Sequence, residues 1–369
     1  MKIVKVRSPF VIEINEAGSI GSKIELYIYP ASGPFPSSPT YTLSKTNPST
    51  TQLSTSYNIS NFVKEYIDNI KPNNVGNATA GSEAFNEYVL CKVKRYKLVG
   101  ATHTLLSDVD YIGVNGFTNY LDGYQNPTDT KIFLLANPNI NNYYYKDSYA
   151  DLKMEYLNLL YNKLSTDILT IKYERIDGVV HTLTQNIQPS AAGSDNLKIT
   201  VTPVIYDGNF INGCKATITL TPVSGDPTIY IFYTYPIEEC KYTPVRCSFI
   251  NRYGGWKDII FFKTQTNSIN VKKEAFKLSP QLIDYNIFKG QSKSFNFNGT
   301  QSIKLNTGWV DENYSELITD LLLSETVLLD QKPVKLKTES TDLKSSLKDR
   351  MINYEIEFEY AYNLLNDVV

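Results

Sequence analysis

Residues 354–360 read Tyr-Glu-Ile-Glu-Phe-Glu-Tyr, an unbroken alternation of aromatic or aliphatic residues with acids. Successive side chains of a strand point to opposite faces. Tyr354, Ile356, Phe358 and Tyr360 therefore share one face, and Glu355, Glu357 and Glu359 the other. One face is made to be buried and the other to meet water or a basic partner, the pattern of a half-buried antiparallel sheet. The same period of two recurs along most of the chain. It predicts a mainly β protein built of two to three β-sandwich, immunoglobulin-like domains with a few short helices and a C-terminal α+β part.

Length and composition agree with that class. The chain has 369 residues, 42% hydrophobic and 20% charged, enough apolar side chains for real cores. Its formal net charge of −2 gives no basic face of the kind that direct nucleic-acid binding rests on. Tyrosine stands out, with 28 residues against 2 Trp and 2 His. Its ring packs on a pleated surface while its hydroxyl meets water, and it is enriched at protein interfaces. The N-terminal Met-Lys-Ile-Val-Lys-Val-Arg-Ser-Pro has no apolar core of signal-peptide type, and no run approaches a membrane span. The expectation is a soluble chain made in the cytoplasm.

Turn chemistry sets out three regions. In residues 1–150, strands are expected at 2–14 (broken at Ser8-Pro9), 23–29, 40–45, 87–99 and around 109–114. A short edge helix is expected from Ser60 as its cap, with Val63, Tyr66, Ile67 and Ile70 as its buried stripe. Asn115-Gly116 and Asp122-Gly123 are tight-turn signals. Three consecutive tyrosines, Tyr143, Tyr144 and Tyr145, cannot all face one core in a strand, and a domain junction is placed near them. They are the interface candidates, with core packing as the other outcome.

Residues 151–239 form the second, immunoglobulin-like region. Leu152, Tyr156, Leu159 and Leu160 suggest a short helix over 151–164. A two-residue hairpin turns at Asp177-Gly178, and strands follow at 198–206, 214–222 and 229–235. Residues 240–369 form the third region. A hairpin there turns at Tyr253-Gly254-Gly255-Trp256, and a strand carries Phe295, Phe297, Ile303 and Leu305. An amphipathic helix over 311–325 is capped by Asp311, with Tyr314, Leu317, Ile318, Leu321 and Leu322 as its apolar stripe. Strands at 333–338 and 353–361 close the region.

The inventory for chemistry is sparse. His103 and His181 sit in strand-like contexts outside any nucleophile motif, and two histidines cannot make a three-His zinc site. Cys91, Cys214, Cys240 and Cys247 contain no C-x-x-C spacing and read as buried thiols; a Cys240–Cys247 bridge stays open. Phosphate loops and EF-hand loops are missing from the sequence. Lys92, Lys94, Arg95 and Lys97 form one basic cluster, read as a solvated face or one that meets acids. No catalytic, cofactor-binding or metal-binding residue is assigned, and no cofactor is expected.

A series of short markers resembles virion structural proteins of tailed bacteriophages of Bacteroidetes, including crAss-like phages. It begins with Arg7-Ser8-Pro9-Phe10, Tyr27-Ile28-Tyr29, Asn58-Ile59-Ser60, Glu65-Tyr66-Ile67 and Asp122-Gly123-Tyr124. It continues through Glu239-Cys240-Lys241-Tyr242-Thr243-Pro244, Phe249-Ile250-Asn251-Arg252-Tyr253-Gly254 and Phe261-Phe262-Lys263. It ends with Asn306-Thr307-Gly308-Trp309-Val310 and Ile352-Asn353-Tyr354-Glu355-Ile356-Glu357-Phe358. After Tyr124 the chain goes straight to Gln125-Asn126-Pro127, where an acidic-aromatic extension is expected. The resemblance implies a non-enzymatic tail or neck component, assembled in the virion as a homo-oligomeric ring or collar against other tail or neck proteins. Two other functions remain open: a tail-associated receptor- or carbohydrate-binding adhesin, and a tail-associated polysaccharide-degrading enzyme.

Overall fold

A computed structural model describes residues 2–30, 33–68, 82–83, 88–123, 132–134, 137, 139–145, 156–162, 168–187, 197–203, 210, 212–222, 225–237, 241–278, 288, 290–340, 342 and 351–365. The protein is mainly β, with several multi-strand sheets. The strands are β1 Lys2–Lys5, β2 Val11–Asn15, β3 Gly21–Pro30, β4 Tyr41–Thr46, β5 Ser54–Asn58, β6 Ser82–Glu83, β7 Tyr88–Val99 and β8 Thr102–Val114. Next come β9 Ile132–Leu134, β10 Asn142–Tyr145, β11 Tyr156–Asn162, β12 Ile168–Arg175, β13 Thr182–Ile187, β14 Leu197–Pro203, β15 Cys214–Thr221 and β16 Thr228–Ile237. The last are β17 Val245–Ile250, β18 Trp256–Phe261, β19 Gln265–Lys277, β20 Ser292–Asn306, β21 Val310–Asp311, β22 Val327–Leu329, β23 Lys332–Leu336, β24 Met351–Ile352 and β25 Glu355–Asn363. Helix α1 spans Ser60–Lys64 and α2 spans Tyr314–Leu322.

The chain divides into two compact units. The first comprises Met1–Glu238, Phe249–Asp258 and Glu316–Glu325; the second comprises Glu239–Ser248, Ile259–Ser315 and Thr326–Val369.

In the first unit, one five-stranded sheet has the order β1-β8-β7-β3-β4, with β1 parallel to β8 and the other pairs antiparallel. The β2–β5 ladder and α1 share a core with it, in which Ile12, Ile14, Leu26, Ile59, Val63 and Val93 are buried together. Ser22 Oγ, Thr55 Oγ1 and Tyr57 OH satisfy one another inside this core, so the buried hydroxyls carry little desolvation cost. Gly113 on β8 lies where any Cβ would run into Val63 and crowd Val6 and Val89, which brings α1 down onto the sheet.

A second five-stranded sheet has the order β10-β16-β15-β12-β13. Ile171, Tyr173, Cys214, Ala216, Ile218 and Phe232 are buried on its inner face. A four-stranded sheet, β6-β14-β11-β9, completes the larger sheets of this unit.

The second unit holds β22, β23, β25, β20 and β19 of a seven-stranded sheet whose order is β18-β17-β22-β23-β25-β20-β19. The alternating segment that opened the sequence lies in its middle. Tyr354, Ile356 and Phe358 are buried, and Phe358 meets Phe261 edge to face at 5.7 Å. On the other face Glu357 takes a hydrogen bond from Lys337 Nζ at 2.7 Å, and Glu355 pairs with Lys304. Glu355 and Glu357 are thus answered by Lys304 of β20 and by Lys337, just past β23, and Glu359 accepts from Thr300.

Several local expectations need correction. The helix expected over 151–164 is replaced by strand β11, paired with β14 and β9; Leu152 lies outside the described residues. A short apolar run carries no decisive period, and sheet pairing satisfies its backbone groups. Ser60 is the first residue of α1 and not its cap. The N-cap position is Ile59, which makes no side-chain cap bond, and the Asn58 carboxamide oxygen, one residue earlier, takes hydrogen bonds from Ser60 N and Ser60 Oγ instead.

Helix α1 stops at Lys64, leaving Tyr66 exposed; Ile70 lies outside the described residues. Asp311 ends β21, and α2 begins at Tyr314, with Tyr314, Leu317, Ile318 and Leu321 buried. The connection at Asp177-Gly178 is longer than two residues, because Arg175–His181 separate the last cross-strand pair, Glu174 with Thr182. Asp177 sets it: its carboxylate binds Arg175 and Asn212 and accepts from Val179 N at 3.1 Å. Those donors hold its pKa far below the carboxylate range.

Candidate interaction surface

Strand β16 has the sequence Thr-Ile-Tyr-Ile-Phe-Tyr-Thr-Tyr-Pro-Ile. Both of its faces carry large apolar residues, so alternation alone does not say which is inside. The core chooses Phe232 and Thr234. Ile229, Ile231 and Tyr233 then face outward, 54%, 37% and 38% exposed. Tyr235 continues their row.

The neighbouring strand extends it. Asn142 is buried at the start of β10, where its side-chain oxygen accepts a hydrogen bond from Lys257 Nζ. Burial lowers the Lys257 pKa to about 7, so the ammonium depends on that bond for part of its lost hydration. From Asn142 the chain runs parallel to β16, placing Tyr143 beside Tyr235, Tyr144 beside Pro236 and Tyr145 beside Ile237. The Tyr143 and Tyr235 rings lie 6.1 Å apart, tilted by 36°. Of the three tyrosines singled out from the sequence, Tyr143 thus joins the outer row and is half-buried. The side chains of Tyr144 and Tyr145 lie outside the described residues.

Register places the rest of this face. Ile229 lies beside Thr219, Ile231 beside Thr217, and Tyr233 beside Lys215. Beyond them on β12 come Thr170, Lys172 and Glu174. Glu174 is bonded to Lys172 at 2.8 Å and lies 3.5 Å from Lys215; the Lys172 bond is the main reason its pKa is lowered. The charges of this face answer one another. Beside these charges runs the apolar row Ile229–Ile231–Tyr233, exposed to solvent and continued by half-buried Tyr235 and Tyr143, about 20 Å along β16 at the usual strand rise. A flat row of rigid rings and branched aliphatics offers contact area at low entropy cost.

The chemistry-bearing residues considered from sequence are dispersed. His103 is exposed on β8, and His181 packs its ring edgewise on Phe210 at 5.0 Å. Cys91, Cys214 and Cys247 are buried; burial pushes Cys91 and Cys214 up to about 12. Cys240 lies outside the described residues. Three of the four basic residues of the β7 cluster are spent internally. Lys92 lies 3.7 Å from Asp108 and 3.5 Å from Asp110, Lys94 sits over Tyr27, and Arg95 donates to Glu13 O. Among the described residues no three His, Cys, Asp or Glu side chains gather as a metal site, and no helix is long and apolar enough to cross a membrane.

The sequence reading missed the outer row of β16 because Ile229, Ile231 and Tyr233 look like core residues. The signal available was the doubly apolar alternation itself, which exceeds what a one-sided sheet buries. A scan against protein-family models and a search of curated proteins gave no match to this chain.

Proposed function

We propose that this chain is a non-enzymatic structural subunit of a tailed-phage virion. In this reading it is a tail or neck ring or collar protein that assembles as a homo-oligomer against other virion proteins. The observation that carries the assembly part of the reading is the exposed row Ile229–Ile231–Tyr233, continued by half-buried Tyr235 and Tyr143, on an otherwise charge-balanced sheet face; the virion part rests on the series of sequence markers. Interface cores are depleted in charge and enriched in aromatic residues, and this row has that composition. A ring needs heterologous contacts that close by rotation, so the row would meet a different surface of the next copy. We read the half-buried sheets as immunoglobulin-like sandwich modules, a common architecture for stacked, surface-rich subunits.

Size-exclusion chromatography with light scattering, together with cryo-electron microscopy of particles, tests the proposal. The expected result is a discrete oligomer that Ile231→Lys shifts to smaller species, and density for the chain in the tail or neck. A chain that stays monomeric at high concentration and is missing from purified particles overturns it.

A further inference from the structure

Strand β19 is the terminal strand of the seven-stranded sheet and has β20 as its one neighbour among the described strands. All thirteen of its residues are exposed. A long, exposed edge is a template for another strand, and proteins guard such edges with lysines, prolines, bulges or a covering segment. Here the guards are uneven. Lys272, Lys273 and Lys277 fall in the distal half, and the register shift of the β19–β20 ladder lies between Lys272 and Glu274. The proximal half, Gln-Thr-Asn-Ser-Ile-Asn-Val over 265–271, carries no charge, no Pro and no Gly. Seven uncharged residues on an open edge, with the strand formers Thr266, Ile269 and Val271 among them, leave that edge open to pairing.

The face beside this segment is apolar as well. Ile269 and Val271 are 60% and 62% exposed. Val271 lies opposite Gly299, and a side chain there would meet Leu364 Cδ1 and Ile269 Cγ2 over the backbone of β20. Leu364 is exposed too, so Ile269, Val271 and Leu364 form an uncovered patch at the sheet edge.

We infer that the outer edge of β19 pairs antiparallel with the same edge of a second copy, about a two-fold axis at Asn270. The occupant follows from register. Directly opposite residues of an antiparallel pair lie on the same face, so a two-fold between identical strands runs through a residue position. An axis at Lys272, Lys273 or Glu274 sets like charges against each other. An axis at Val271 sets Lys273 against Ile269, and an axis at Ile269 sets Val271 against Asn267 and splits the apolar pairs. With the axis at Asn270, Ile269 meets Val271 of the other copy twice, Lys272 meets Ser268, Lys273 meets Asn267 and Glu274 meets Thr266. No charge then opposes its like over 265–275, and the two apolar patches merge on one face. Two steps beyond, Lys277 of each copy would approach Lys263 of the other, which ends the ladder. Such a contact is isologous and joins copies in pairs, whereas a ring needs heterologous contacts. It rests on the proposed function only in that copies of this chain meet.

Cysteine cross-linking of the full chain, in a Cys240→Ser background, tests it. Cα atoms directly opposite in an antiparallel ladder lie about 4.5–5.5 Å apart, within disulfide reach. Under mild oxidation Asn270→Cys is expected to give a covalent dimer. Ser268→Cys and Lys272→Cys are each expected to stay uncross-linked alone and to cross-link when mixed. Ile269→Lys is expected to weaken the non-covalent dimer about tenfold by spoiling both apolar pairs. If Asn270→Cys stays uncross-linked while light scattering shows an oligomer, this inference falls and the proposed function stands. If Asn270→Cys cross-links while Ile231→Lys changes nothing, the inference stands and the role of the β16 row falls. A monomer throughout removes both, and cross-linking of Asn270→Cys to a different virion protein overturns the choice of a second copy.

Discussion

Two long antiparallel pairs, β7–β8 in the first unit and β19–β20 in the second, are built alike and end up differently. Their strands are 12 and 13 residues in one and 13 and 15 in the other, and each ladder carries one register shift. Yet β7 begins with four buried residues, and Val93 in its middle is buried, whereas β19 is exposed throughout. On β7 Lys92, Lys94 and Arg95 find acids, a ring and a carbonyl of their own unit. On β19 the outward Ile269 and Val271 find water. Backbone pairing makes a hairpin in either place. A layer such as β2–β5 with α1 on one face makes it a core.

The largest test of that contrast pairs Leu26→Ala, on β3 beside β7, with Ile269→Ala. Leu26 is fully buried, and its truncation is expected to cost about 2–5 kcal/mol in denaturant unfolding. Ile269→Ala is expected to stay within about 0.5 kcal/mol for the monomer. Equal losses would mean that β19 is covered in solution and would break the comparison.

The glycines of the two hairpins sharpen it. Gly113→Ala drives a methyl group into Val63 and is expected to cost about 1–3 kcal/mol. Gly299→Ala meets Asn270 O at 3.1 Å and Leu364 Cδ1 at 3.3 Å, and Leu364 is exposed and has room to yield. Its expected effect is well below that of Gly113→Ala. Thermal unfolding of the two variants side by side reads the difference.

A further difference appears with pH. Burial pushes the Cys91 thiol, on β7, up to about 12 from an ordinary value of 9.0. A folded pKa above the unfolded one favours the protonated, folded form. That contribution is complete below pH 9 and is lost as pH rises towards 12. At pH 10 the loss is about 1.4 kcal/mol, one unit above the unfolded value. Comparing urea midpoints of wild type and Cys91→Ala between pH 8 and pH 10 should show the variant with the shallower decline. Identical slopes would mean that β7 admits water at this position.

Much of the strand content was legible because period two is a local property. The segment 354–360, the strands at 23–29, 87–99 and 214–222, and the apolar stripe of α2 all follow from spacing alone. Where an element was misread, the local signal was divided. Tyr156–Asn162 has an apolar run that fits either helix or strand, and its partners β9 and β14 made it a strand. Ser60 and Asn58 are both of capping type, yet the N-cap position falls between them on Ile59, and the Asn58 oxygen bonds Ser60. Residues 265–277 carry their strand in Ile269 and Val271, a short alternation among polar residues that is easily passed over. The candidate surface was legible only in Tyr143, because exposure of Ile229, Ile231 and Tyr233 is a statement about which face the core occupies.

By itself, then, the sequence determined that this chain forms strands, where most of them lie, and which residues share a face, since these depend on backbone geometry and neighbours a few positions away. Only the tertiary structure decided which of two apolar faces of β16 is buried, that β10 lies beside it, and that β19 is left at the edge of its sheet. Those outcomes depend on which distant segments arrive to exclude water, and no local pattern encodes that arrival.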